Sequence, residues 1–288
     1  MGERMRKRFT LLEMVVAMLI VGVLLSLSLT GLEKLATAEA MQTAATRLEN
    51  AALKARSKAI IEGREQDTYV ALLLPDSNEF INVGGLPCRS YRICTVKKKD
   101  TGSSASYEFK GWIQNEDWQT LGTGIVIVGA STAQRENRAV DADIDENNSY
   151  KVENESTGKK LSGVSVLRGT KFYDYKDGEY GEEVSSSDVS AVDDIGYITG
   201  VPGAPANGCP GIVFNKYGNI VNAVNLCLVL AEGNVLESKY SNSENVYRFR
   251  NVFTDTKSGD LYLGNWVEIT FNIFTGRPHI RMMGEDQP

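Results

Sequence analysis

FTLLEMVVAMLIVGVLLSLSLTGL, Phe9–Leu32, is the stretch on which the architecture of this 288-residue chain turns. It holds one ionisable group, Glu13, and no proline. At about 1.5 Å per residue, a helix of this length matches the roughly 30 Å hydrocarbon core of a bilayer. Immediately before it, residues 1–8 carry Arg4, Arg6, Lys7 and Arg8 against Glu3, a net +3 that leaves −9 on the rest of a −6 chain. A basic head followed by an apolar run marks a membrane-targeted chain with its N-terminus in the cytoplasm. Cleaved export is the rival, because Ala36-Thr37-Ala38 fits an A-x-A processing site. The apolar run exceeds the about 7–15 residues of an export signal core, and Glu13 lies inside its start.

Working outward, the helical pattern continues past Leu32. Leu35, Ala38, Met41, Ala45, Leu48, Ala52, Ala55 and Ala59 recur at steps of three and four, with Arg47, Glu49, Lys54 and Lys58 on other faces. Gly63 is the expected stop. A helix from Phe9 to Glu62 would run on the order of 80 Å. Its Ala-rich outer half is narrow and suits packing against a sheet. A cut after Ala38 would sever this periodic helix.

Glu13 is the most informative residue, because a carboxylate inside an apolar helix costs a few kcal/mol unless it is paired. Its surroundings, Arg6-Lys7-Arg8-Phe9-Thr10-Leu11-Leu12-Glu13-Met14, resemble the N-terminal signature of type IV prepilins and type II secretion pseudopilins. The resemblance implies cleavage between Arg8 and Phe9 by a prepilin peptidase and N-methylation of Phe9. It also implies that Glu13 serves filament assembly by pairing with the amine of a neighbouring Phe9, a buried contact that would fix register. The family carries Gly, less often another small residue, before the cut, where this chain has Arg8. Ala55, Arg56, Ala59, Ile60, Gly63 and Arg64 are similar to the helix-to-strand junction of H-type minor pseudopilins, the GspH/FimT family. Ile212-Val213-Phe214 with Gly218, and Val267-Glu268-Ile269 with Gly276-Arg277 and Ile280, are similar to that family's closing strands.

Everything after Gly63 reads as β-rich. Strands are expected at Thr68–Leu74, Glu79–Val83 (returning as a hairpin), Tyr91–Val96, Tyr107–Ile113, Gly124–Gly129 and Val164–Leu167. More are expected at Gly211–Phe214, Leu226–Leu230, Val246–Arg250, Trp266–Ile273 and His279–Met282. Two polar stretches, 131–162 and 174–209, read as surface insertions. The fold class is thus α+β, a long N-terminal helix packed on an antiparallel β-sheet domain as in pilins. The organisation is a basic leader (1–8), a transmembrane helix (9–32), an amphipathic continuation (33–63) and an extracytoplasmic β domain (64–288).

Composition disfavours much enzymology. The lone His279 excludes His-rich zinc sites and most Ser-His or Cys-His catalysis, and is expected on a strand surface. Asp141, Asp143 and Asp145 suggest a calcium loop, but Glu146 and Val152 stand where an EF-hand needs Gly and Glu, so a solvated acidic loop is the better reading. Four cysteines permit three connectivities; local disulfides, Cys88–Cys94 and Cys209–Cys227, are preferred, with free buried thiols the rival. No nucleophile elbow or phosphate loop occurs, so neither catalysis, cofactor nor metal is expected. The acidic charge argues against nucleic-acid binding, the local run Lys97-Lys98-Lys99 notwithstanding.

The resemblance implies a structural minor pseudopilin of a type II secretion system, single-pass in the bacterial inner membrane with a periplasmic domain. Its partners would be other pseudopilins, inner-membrane assembly components, the prepilin peptidase and membrane lipid. The alternatives are a FimT-like minor pilin for adhesion or DNA uptake, and an exported binding protein cleaved after Ala38.

Overall fold

The computed structural model describes residues 11–63, 68–100, 105–131, 151–155, 158–161, 171–176, 179–186, 195–206, 208–223, 226–241, 244–250, 252–255, 261–263 and 265–282. The chain divides into two compact units, Met1–Ala40 and Met41–Pro288. The described elements begin with α1 (Leu11–Glu62), β1 (Tyr69–Leu73), a 3₁₀ helix (Asn78–Val83), β2 (Ser90–Asp100), β3 (Ala105–Trp112), β4 (Gln119–Thr120) and β5 (Ile125–Ser131). They continue with β6 (Lys151–Glu155), β7 (Gly158–Leu161), β8 (Lys171–Lys176), β9 (Glu179–Ser186), β10 (Tyr197–Thr199), β11 (Cys209–Phe214) and β12 (Cys227–Glu232). The last are β13 (Asn234–Ser241), β14 (Glu244–Arg250), β15 (Phe253–Asp255), β16 (Leu261–Leu263), β17 (Trp266–Asn272) and β18 (Arg277–Met282).

One sheet runs β1-β11-β10-β3-β2-β4, and a further β1–β2 pairing closes its first five strands into a barrel. Closure leaves no free edge among those five. The pairings are antiparallel except β10 with β3, which run parallel through Ile198↔Tyr107 and Thr199↔Glu108. Alternate residues fill the interior: Ala71 and Leu73 from β1, Cys94 and Val96 from β2, Tyr107 from β3, Ile198 from β10, and Cys209 and Val213 from β11. Ala71 faces Cys94 on one side and Val213 on the other, so small side chains meet in one layer of a narrow barrel. Gly211 leaves room at the next position, where a Cβ would lie 2.7 Å from Ile198 Cδ1.

Two further sheets complete the β structure. β18-β17-β12-β5 form one of four strands, and β13-β14-β8-β9-β7-β6-β16-β15 one of eight. A second core joins Cys88, Val126, Val128, Val229, Ala231, Phe249, Val252, Leu263 and Trp266.

The α+β expectation, a long N-terminal helix laid on an antiparallel sheet, is overturned. The described residues are mainly strand, five strands close into a barrel, and parallel pairs interrupt the antiparallel pattern. The directional contacts of α1 go to turns: Lys54 Nζ lies 2.5 Å from Glu116 Oε1, and Arg56 Nε donates to the Thr275 carbonyl at 2.5 Å. The physical reason is register. Hydrophobic alternation marks a strand but not its partner, and the stave that completes the barrel, β10, is three residues long.

The expected localisation, single-pass in the inner membrane, is also corrected, since among the described residues no helix is long and apolar enough to cross a membrane. The exposed apolar run described in α1 reaches from Leu12 to Leu24.

Other differences are local. Glu79–Val83 is not a returning strand but part of the 3₁₀ helix, because Ser77 acts as its N-cap and accepts from the Glu79 N–H at 3.4 Å. The polar stretches contribute β6 and β7, and β9 and β10, rather than loops alone. Expected strands at Thr68–Leu74, Tyr91–Val96, Tyr107–Ile113, Gly124–Gly129, Gly211–Phe214, Leu226–Leu230, Val246–Arg250, Trp266–Ile273 and His279–Met282 correspond to β1, β2, β3, β5, β11, β12, β14, β17 and β18. The strand expected at Val164–Leu167 lies outside the described residues.

Candidate functional site

The first part of α1 presents apolar side chains on every face. Leu12, Met14, Val15, Val16, Met18, Leu19, Ile20, Val21, Val23 and Leu24 are all exposed, from 49% at Val16 to 73% at Met18. A helix apolar all round is stable only where other groups cover it, because no polar face is left for water. From Met41 the character changes. Met41, Ala44, Ala45, Leu48, Ala51, Ala52, Ala55 and Ala59 are buried, while Gln42, Thr43, Thr46, Arg47, Asn50 and Lys54 stay exposed. The small side chains let the helix approach its neighbours closely.

Two interlocked turns hold the far end of α1. Asn215 Oδ1 accepts from the Tyr217 and Asn219 N–H groups, and Asn272 Oδ1 from those of Phe274 and Thr275. Each is an Asx-turn closed by a left-handed glycine, Gly218 (φ 81°) or Gly276 (φ 64°). Gly218 sits where a Cβ would lie 2.9 Å from Arg56 Nε and 3.0 Å from Ile60 Cδ1. Gly276 thus closes a turn that abuts the Gly218 turn.

A second polar–aromatic assembly lies beside β2. Arg92 Cζ stacks 3.8 Å from the centroid of Trp112, while Nε and Nη2 donate to the Glu116 carbonyl at 3.2 and 2.9 Å. Phe109, Trp112, Trp118 and Phe80 continue edge-on, with centroids 4.7, 5.9 and 6.0 Å apart. Sequence reading missed this cluster. Its signal was two Trp six residues apart around the acidic pair Glu116-Asp117, opposite an Arg in the preceding strand.

The sequence-predicted residues are scattered. Arg8 and Phe9 lie outside the described residues, as does the acidic loop 141–148. Glu13 lies within α1, and Ala36–Ala38 falls in the interior of the same helix. His279 is exposed on β18, as expected, and Lys97 pairs with Glu108 at 3.1 Å. Among the described residues no group of three or more His, Cys, Asp or Glu is arranged to hold a metal.

The preferred disulfides are not formed, and all four cysteines are buried thiols. Cys88 occupies a left-handed turn (φ 55°) and joins the core beneath the four-stranded sheet. Cys94 belongs to the barrel interior, because β2 begins between them at Ser90. Cys209 fills the barrel too, whereas Cys227 stands on β12. Burial, with the Asp76 carboxylate adding to it, pushes the Cys88 thiol well above its usual range. Burial raises Cys94 as well, against a smaller opposing pull from Arg92. Neutral thiols react slowly. A disulfide reagent at pH 8 should therefore label none of the four in the folded chain and all four after denaturation. Rapid labelling before unfolding would contradict this burial. The sign of the pH effect follows: stability from Cys88 and Cys94 is full below the unfolded thiol pKa of about 8.5 and is lost as pH rises above it.

No protein-family model, curated protein or solved structure matches this chain.

Proposed function

We propose that this protein is a structural subunit of a filament of the type II secretion pseudopilus kind, working by assembly through α1 and not by catalysis. The supporting observation is the ring of ten exposed apolar side chains between Leu12 and Leu24. Burying them against like helices gives a gross gain on the order of 10–20 kcal/mol, before the costs of association. The sequence Phe9-Thr10-Leu11-Leu12-Glu13 adds the family resemblance, with Glu13 as the acid that fixes register between subunits. The buried alanine stripe from Met41 and the Arg56 bond tie residues 41–62 of the helix into the Met41–Pro288 unit.

The test is sedimentation velocity of the full chain beside Leu19→Glu/Val23→Glu, two changes on one helix face. The unaltered chain should form large assemblies, and the double variant should remain monomeric with an unchanged melting transition. Glu13→Ala should weaken assembly with a smaller effect. Assemblies of undiminished size in the double variant would remove the reading.

A further inference from the structure

Beside the buried stripe of α1, a cleft of about 390 Å³ opens between Arg47–Lys54 and the residues of β2 and the turn after Ile113. We propose that this cleft binds a small carboxylate, with Arg47 as the charge that holds it.

The lining carries three cations and two acids. Both acids are already engaged. Glu116 Oε1 sits 2.5 Å from Lys54 Nζ, and Asp117 Oδ1 sits 3.5 Å from Arg92 Nη1. Arg92 is further held by its stacking on Trp112 and its two bonds to the Glu116 carbonyl. Arg47 makes no ion pair among the described residues, so the cleft has an excess of one positive charge in a chain whose net charge is −6. Asn50 follows Arg47 at the next turn of the helix, and Gln119 lines the same cleft, so two neutral amides join the guanidinium there. Tyr91 closes the floor. Its phenol is 7% exposed and close enough to feel the Arg47 guanidinium, which pulls against the upward push of burial.

An Arg fork with neutral donors around it matches the two oxygens of a planar monoanion. The volume fits a ligand of a few heavy atoms or the end of a peptide. The lining residues all belong to the Met41–Pro288 unit, so the assignment does not use the apolar side chains between Leu12 and Leu24.

Isothermal titration of the full chain with N-acetylglycine tests this, with N-acetylglycinamide and inorganic phosphate as comparisons. N-acetylglycine should bind saturably, one per chain, in the millimolar range, and the amide should not. Arg47→Gln, an exposed position whose change should leave the melting transition in place, should weaken binding at least tenfold. Absence of saturable binding, equal binding of the amide, tighter binding of phosphate, or unaltered affinity in Arg47→Gln would each overturn the assignment. Repeating the titration with Leu19→Glu/Val23→Glu, where binding should persist, separates failure of this site from failure of the assembly reading.

Discussion

Gly276→Ala should destabilise the protein by at least about 3 kcal/mol, far above the fractions of a kcal/mol typical of surface substitutions. Two penalties act together. The backbone stands at φ 64°, a conformation that a Cβ disfavours. The new methyl would also overlap the Gly218 carbonyl oxygen, which is main chain and cannot swing aside. Urea unfolding followed by tryptophan fluorescence reads the loss directly. Gly218→Ala is the control: its obstacles are the ends of flexible side chains, so it should cost about 1–2 kcal/mol. A Gly276→Ala variant within 0.5 kcal/mol of the parent, roughly the noise of surface changes, would show that the two turns do not interlock.

Phe214→Ala should cost about 3–5 kcal/mol, the range for deleting a fully buried aromatic. Phe214 is wholly inaccessible at the end of β11, where it registers with Val70 of β1. Its backbone also bridges to Ile220, which returns the chain toward the Asn215 turn. The ring lies beneath the glycine turn, with Cδ1 3.2 Å from where a Cβ on Gly276 would sit. The remaining cavity cannot collapse easily, because both neighbours of β11 in the barrel are fixed by their own pairings. Phe214→Leu, which keeps most of the volume, should cost less than about 1.5 kcal/mol. Combined with Gly276→Ala the effects should not add, since the two sites share a surface. Strict additivity in the double variant would mean the ring and the turn are independent.

The local elements were legible in the sequence where periodicity was strong. The Ala stripe of α1 and the short apolar, β-branched runs of β1, β11 and β17 mark helix and strands directly. What stayed hidden was long-range. Nothing in Tyr197-Ile198-Thr199, three residues in a polar stretch, announces a stave that runs parallel to β3 and closes a barrel. Nor did the sequence mark Glu268 of β17 as an interior residue, yet it is 3% exposed. A strand covered on both sides buries both phases of its pattern. Cysteine spacing failed for a related reason: six residues across the start of β2 are enough to send Cys88 and Cys94 into different cores. Of the proposed assembly surface, the apolar run was plain from the sequence. The cleft at Arg47 was not, because its lining comes from three separated segments.

The order in which the staves are made has a consequence for biosynthesis. β1, β2 and β3 are complete by Trp112, but the strands that seal them, β10 and β11, end only at Phe214. At a ribosomal pace of 5–20 residues per second, the nascent three-stranded sheet waits roughly 5–20 seconds with both margins unsatisfied. During that interval it is open to pairing with foreign strands and to capture by chaperones. Slow maturation, set by translation and not by the chemistry of any one contact, is the expected signature of this chain in a cell.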